Sequence, residues 1–220
     1  MIRYGHLFER IAAFDNLLAA WQEARAGKRG KASVARFAFD LEARLHRIRA
    51  RLLDGTYQFG PYRVFQVCDT KPRLIHAAPF RDRVVHHAIV RLLNPILDPT
   101  LIADTFACRA GKGTLAAMKR VRQFVREVPD GYALKCDVRK YFDSIHRETL
   151  LGLVARKVKD PRTMELLRRL VEGAPMGQCG PGRGIPIGNL TSRIQEGAVH
   201  APDTALRASA RCPGRGRGGR

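Results

Sequence analysis

Apolar residues recur at spacings of three and four from Val34 through Phe37, Leu41, Leu45 and Ile48 to Leu52, with arginines and glutamates filling the other face. That period predicts one amphipathic helix across this stretch. Phe8, Ile11, Phe14, Leu17, Leu18 and Trp21 mark an earlier helix, and Gly27 and Gly30, on either side of Lys28-Arg29, break the two apart. Both stripes are read as core packing. From Tyr57 the period falls to two: Tyr62, Val64 and Val67 alternate with Arg63 and Gln66, Asp69-Thr70-Lys71-Pro72 reads as a turn, and Arg73-Leu74-Ile75 resumes a strand. A basic hairpin is expected there.

Asp82 precedes Val85, Ile89, Leu92, Leu93 and Ile96, an amphipathic helix that Pro95 and Pro99 should end, and a further helix begins near Thr114. After the turn signal Pro129-Asp130-Gly131, the run from Tyr132 to Val138 reads as a strand. Leu150, Leu151, Val154 and Val158 mark the next helix. Asp160 caps another with Pro161 at its first position, a stripe of Leu166, Leu167 and Leu170, and Gly173 as its stop. A Gly/Pro-rich loop, Gly180-Pro181-Gly182-Arg183-Gly184, follows. From Arg193 onward neither period survives, and there is no internal repeat.

Charge changes the picture more than composition does. The chain of 220 residues carries 40 Lys+Arg against 20 Asp+Glu, a net charge of +20. The last 28 residues hold six arginines and two acids, so a net +16 remains in residues 1–192. With 45% hydrophobic residues the chain can bury a core, which argues against disorder driven by low hydrophobicity. The charge predicts an anionic partner, nucleic acid first and acidic lipid second. Five cysteines, Cys68, Cys108, Cys136, Cys179 and Cys212, form no CxxC pair and no zinc-type spacing, which suits reduced thiols in the cytoplasm. Cys108 and Cys136 read as small packing residues. No secretion signal and no uncharged stretch of 18 residues occurs, so no membrane partner is expected. Neighbouring histidines such as His86-His87 diverge by about 100° on a helix and do not share an ion, so surface or core-edge positions are expected for them.

Lys135-Cys136-Asp137-Val138-Arg139-Lys140-Tyr141-Phe142-Asp143 is the stretch richest in chemistry. A carboxylate at a strand end among basic residues is badly placed for a core and well placed to hold a divalent cation beside phosphates. On spacing alone an ordinary salt-bridged strand end is the preferred reading.

The surroundings reverse that preference. The Asp137 segment resembles the first catalytic block of reverse transcriptases, and three other stretches match blocks of that family in the same order. Arg73-Leu74-Ile75 through Ala78-Pro79-Phe80-Arg81-Asp82-Arg83-Val84-Val85-His86-His87 resembles the first fingers block of the bacterial enzymes. Phe106-Ala107-Cys108-Arg109 with Gly111-Lys112-Gly113-Thr114 resembles the second. Gly184-Ile185-Pro186-Ile187-Gly188-Asn189-Leu190-Thr191-Ser192 resembles the block after the catalytic strand, in its retron and diversity-generating form, and Ala155 to Asp160 resembles group II intron members. The match runs from about Leu53 to Ser192.

The resemblance implies an α+β fold of right-hand polymerase fingers and partial palm behind a helical N-terminal region: residues 1–56 helical, 57–130 fingers, 131–192 partial palm, 193–220 a non-homologous, disordered tail. It implies an RNA-directed DNA polymerase with Mg²⁺ as cofactor and an RNA template, a DNA or RNA primer and a dNTP as partners. Asp137 is then the catalytic aspartate, holding the metal together with the carbonyl of Val138. Phe142 is the sugar gate that disfavours a 2′-hydroxyl. Lys71 and Arg73 grip the triphosphate. Arg81, Arg83, Arg109 and Lys112 are candidates for template-primer phosphates, with pairing of Arg81 or Arg83 to Asp82 or Asp104 as the alternative. Gly184, Pro186, Gly188 and Asn189 bring backbone close to the templating pair.

Two departures from the family stand out. Ile187 replaces the Gln of many members, and the Tyr-x-Asp-Asp block that completes the family's metal site has no counterpart, because the sequence contains no Asp-Asp. The loss of periodicity after Ser192 is the expected mark of a C-terminally truncated or frameshifted chain. Such a chain is expected to polymerise little or nothing and to leave the Leu134 to Val138 strand without neighbours. The competing reading is a non-catalytic RNA-binding protein, a maturase-like scaffold or gene remnant. A basic ribosome-associated protein is a weaker third.

Overall fold

A computed structural model describes residues 2–68, 72–107, 109, 111–175 and 180–185. Four helices open the chain: α1 (Leu7–Ile11), α2 (Phe14–Arg25), α3 (Ala32–Phe39) and α4 (Leu41–Leu53). Each expected N-terminal helix is therefore two. The first breaks at Ala12 and Ala13, and the second at Asp40, whose φ of −127° and ψ of 51° lie outside the helical region. The apolar stripe carries across Asp40 because α3 and α4 both turn their apolar residues, Val34 and Phe37 from one and Leu45, Ile48 and Leu52 from the other, into a single core.

Strands β1 (Arg63–Cys68) and β2 (Pro72–Ala77) pair antiparallel, with Arg63 opposite Ala77 and Val67 opposite Arg73. Every residue of β1 is exposed. A lone two-stranded ribbon is marginal in water, so its attachment matters. The carboxylate of Asp82, only 1% exposed, accepts hydrogen bonds from the Tyr57 hydroxyl at 2.6 Å, the Gly60 amide at 2.7 Å and Arg81 Nε at 3.1 Å. This ties the segment that feeds β1 to the first turn of α5 (Phe80–Leu97). Asp82 thus lies inside the helix it was expected to precede, and its burial is compensated by three donors. Pro95 does not end α5, which runs on to Leu97 and is continued by a 3₁₀ turn at Asp98–Thr100.

α5 is the central spar. Val84, Val85, Ile89 and Leu93 are fully buried, and α2 lies along it with Leu17, Ala20 and Trp21. Beyond it come α6 (Thr114–Glu127), a short α7 (Tyr141–Ser144), α8 (Arg147–Ala155) and α9 (Pro161–Glu172). Asp160 caps α9 as its sequence predicts, accepting from Arg162 N at 3.1 Å and Thr163 Oγ1 at 2.9 Å. The same carboxylate accepts from the amides of Leu7 at 2.9 Å and Phe8 at 2.7 Å, fastening the start of α1 to the start of α9.

The run from Tyr132 to Val138 is not a strand. It is exposed throughout, and among the described residues the only sheet is β1 with β2. Strand geometry is held by a neighbour's hydrogen bonds, and the described residues supply none here. α6 shares this condition: it buries no residue, and Leu115, Met118, Val121 and Val125 are all more than half exposed. No helix of the described residues is long and apolar enough to cross a membrane.

Candidate nucleotide and nucleic-acid corner

The tightest convergence of candidate residues lies where α7 meets α8. Lys140 adopts φ 51°, ψ 43°, a left-handed turn that launches α7. Its first two residues, Tyr141 and Phe142, set their rings edge to face with centroids 5.2 Å apart. Residues 182–185 dock antiparallel beside this turn. Arg147 N donates to Gly182 O, Gly184 N to Ile145 O and Ile185 N to Phe142 O, each at 3.0 Å. Gly184 takes φ 90°, a conformation that glycine adopts freely and L-residues avoid. Ile185 then enters the core at 5% exposure. Gly184 and Ile185 are thus joined to the sugar-gate candidate Phe142 by the backbone itself.

Arg147 fastens that junction. The residue is 8% exposed, and its guanidinium donates to four carbonyls: Gly184 O at 2.9 Å, Ala174 O at 3.0 Å, Pro175 O at 2.9 Å and Glu172 O at 3.4 Å. Burial lowers its pKa, opposed by Glu172 and Tyr62. Sequence reading missed this residue, because an arginine after a helix N-cap carries no local signal that it reaches across to carbonyls 25 to 37 positions downstream.

Asp137 and Val138 lie on the exposed chain before Lys140. One carboxylate and one carbonyl are hard oxygen donors of the kind Mg²⁺ takes when waters and substrate oxygens fill its remaining positions. Among the described residues no cluster of three or more His, Cys, Asp or Glu is arranged to hold a metal ion. Cys136 is an exposed free thiol, not a packing residue, since the run that holds it forms no strand. Cys108 lies outside the described residues.

The basic candidates divide. Arg81 donates to Asp82 and, at 3.1 Å, to Gln58 O; burial works against its charge, but Asp82 and Tyr57 outweigh burial and its pKa rises. Arg109 forms a bidentate pair with Asp98 at 2.9 and 3.0 Å. Lys112 donates to Ala103 O and lies over the Phe106 ring. Asp104 pairs with Arg120 at 2.8 Å. Arg83 differs: its guanidinium stacks 5.2 Å from the Phe80 ring centroid, its buried Nε has no partner, and burial lowers its pKa. Arg73 occupies β2, while Lys71, Pro186, Gly188 and Asn189 lie outside the described residues. His86 is buried at 1% exposure, against its expected surface or core-edge position, and His87 meets Glu23 at 3.2 Å.

No family model matches the chain. Among curated proteins it is similar to Protein YkfC of Escherichia coli, 25% identical over 168 residues, 73% of this chain and 43% of that protein. It is also similar to the group II intron-encoded protein LtrA of Lactococcus lactis, 25% identical over 135 residues, 60% of this chain and 22% of that one. The putative COX1/OXI3 intron 1 protein of Saccharomyces cerevisiae matches at 22% over 156 residues, 68% of this chain and 18% of the yeast protein. The chain spans less than half the length of these relatives. Among solved structures, a chain of a partial Cas6-RT-Cas1–Cas2 complex superposes with a TM-score of 0.60 at 18% identity, over 88% of this chain and 33% of that one, which shows a shared fold. The ordered sequence blocks, the similarity to intron-encoded proteins and this shared fold together support a reverse transcriptase of retroelement type.

Proposed function

We propose that the chain is the fingers and partial palm of an RNA-directed DNA polymerase, binding an RNA template annealed to a DNA or RNA primer together with a dNTP. The observation that carries this reading is the Ile185 amide on the Phe142 carbonyl at 3.0 Å, which joins two family blocks at one corner. Phe142 packs against the incoming sugar and disfavours a 2′-hydroxyl. Gly184, with Pro186, Gly188 and Asn189 after it, lets backbone approach the templating pair. Lys71 and Arg73 grip the triphosphate from the hairpin that Asp82 anchors. Of the four basic candidates for duplex phosphates, Arg83 keeps a buried Nε without a hydrogen-bond partner among the described residues, whereas Arg81, Arg109 and Lys112 also brace the fingers. The Asp137 carboxylate and Val138 carbonyl would hold Mg²⁺, which when bound supplies positive charge to the reacting phosphate.

The full reaction is attack of a primer 3′-hydroxyl on the α-phosphate of the dNTP with release of pyrophosphate. The sequence holds no Asp-Asp pair, and this favours a second reading in which the 220-residue chain binds RNA without extending a primer. Primer extension on an RNA template with Mg²⁺ tests the point. Little or no incorporation is expected, and robust incorporation that Asp137→Ala abolishes would reverse that expectation while keeping the polymerase reading.

A further inference from the structure

We infer that Arg147 is a positioning residue for nucleotide selection: its guanidinium ties the carbonyls of Ala174 and Pro175 to that of Gly184 and thereby holds the backbone of Phe142 in place. The inference rests on the polymerase reading above and names a residue that this reading does not use.

The geometry is specific. Three of the acceptors, Glu172 O, Ala174 O and Pro175 O, belong to the C-terminal end of α9 and the residues after it, where carbonyls lose their intrahelical donors. The fourth, Gly184 O, belongs to the segment 180–185 on the other side. One planar fork bridges the two sides from Nε and both terminal nitrogens, a pattern that lysine, with a single point of donation, does not reproduce. Placing a cation at 8% exposure costs desolvation energy that apolar packing avoids. The return on that cost is position: Gly184 is fixed, its amide is aimed at Ile145 O, and the next amide, Ile185 N, is aimed at Phe142 O. Phe142 precedes Asp143 and Ser144 in a helix of only four residues, so it lacks the support of a long helix. Its carbonyl is instead held from outside, through a chain of contacts that begins at Arg147.

Two readouts on the full chain test this. The first is amide exchange at Gly184 and Ile185, with the amides of Val84 to Ile89 in α5 as internal reference. Arg147→Lys is expected to raise exchange at Gly184 and Ile185 by about tenfold or more, the scale set by losing a charge-assisted hydrogen bond, and to leave α5 unchanged. The second is photocrosslinking from the terminal nucleotide of a primer annealed to RNA. Its yield through residues 141–147 is expected to fall roughly fivefold in Arg147→Lys at unchanged duplex affinity, a split that general destabilisation does not produce. Should Arg147→Ala fail to fold, the lysine variant still answers, because it keeps the charge.

Unchanged exchange at Gly184 and Ile185, or an equal rise in α5, overturns the inference. So does an unaltered crosslink in the variant. A wild-type chain that binds the duplex yet never crosslinks through residues 141–147 overturns the reading of Phe142 itself.

Discussion

The amide of Ile185 donates to the carbonyl of Phe142 at 3.0 Å, and the residue before it, Gly184, reaches this position only by adopting φ 90°. Two stretches far apart in the chain are thereby set side by side with no side chain between them. A Cβ at Gly184 meets backbone strain whatever space surrounds it. Gly184→Ala is expected to cost about 1–2 kcal/mol and to raise amide exchange at Ile185. Urea unfolding reads the first and exchange the second, and an unchanged midpoint contradicts the strain.

Asp160 serves two helices with one carboxylate. Removing it leaves the amides of Leu7, Phe8 and Arg162 without their acceptor, so Asp160→Ala is expected to destabilise the chain by about 2–4 kcal/mol. Burial raises the pKa of this carboxyl, but hydrogen bonds from Phe8, Thr163 and Leu7 outweigh burial and lower it below the usual carboxylate range. The stability it contributes is present above the unfolded carboxyl's pKa and is lost as pH falls through the lower, folded one. Chemical denaturation between neutral pH and the acid limit should show that loss in the wild type and its absence in Asp160→Ala.

His86 acts in the same direction over a different window. Burial, with His87 and Arg83 adding to it, pulls its pKa from 6.5 to about 3. The unfolded chain therefore takes up a proton below about pH 6.5 that the folded chain refuses until near pH 3, and stability drops by up to about 1.4 kcal/mol per pH unit across that range. His86→Leu should flatten the slope of the urea midpoint between pH 6 and pH 4, values on the order of those two limits. An equally steep slope in the variant would assign the effect elsewhere.

The apolar stripe of α6, with Leu115, Met118, Val121 and Val125 exposed, should bind a hydrophobic dye such as anilinonaphthalene sulfonate. The double variant Val121→Lys, Val125→Lys is expected to lose most of that signal, since neither side chain is buried in the fold and the helix keeps good formers. Equal dye fluorescence in the variant would mean that the stripe is covered in solution.

Much of this fold is legible in the sequence because its local signals agree. The pairing of β1 with β2 follows from a switch to period two after Tyr57, while the expected turn at Asp69 to Lys71 lies outside the described residues. The cap and proline at Asp160 and Pro161 fix the start of α9, and Gly173 marks its end. What stayed hidden depends on distant partners. Asp40 breaks a helix whose apolar stripe continues unbroken on both sides. The second task of Asp160, at Leu7 and Phe8, has no trace near either residue. Asp82 resembles a helix-preceding polar residue until Tyr57 and Gly60 are seen to satisfy it. The Tyr132 to Val138 run has strand composition and no strand, since a strand needs a neighbour as well as a pattern.

The most direct test of the central claim is hydroxyl-radical footprinting of the chain with and without an RNA template annealed to a primer. Protection of Phe142 on duplex binding, with the exposed Phe39 at the end of α3 unchanged, is the predicted result. Duplex binding that leaves Phe142 fully reactive and protects a different face would contradict it.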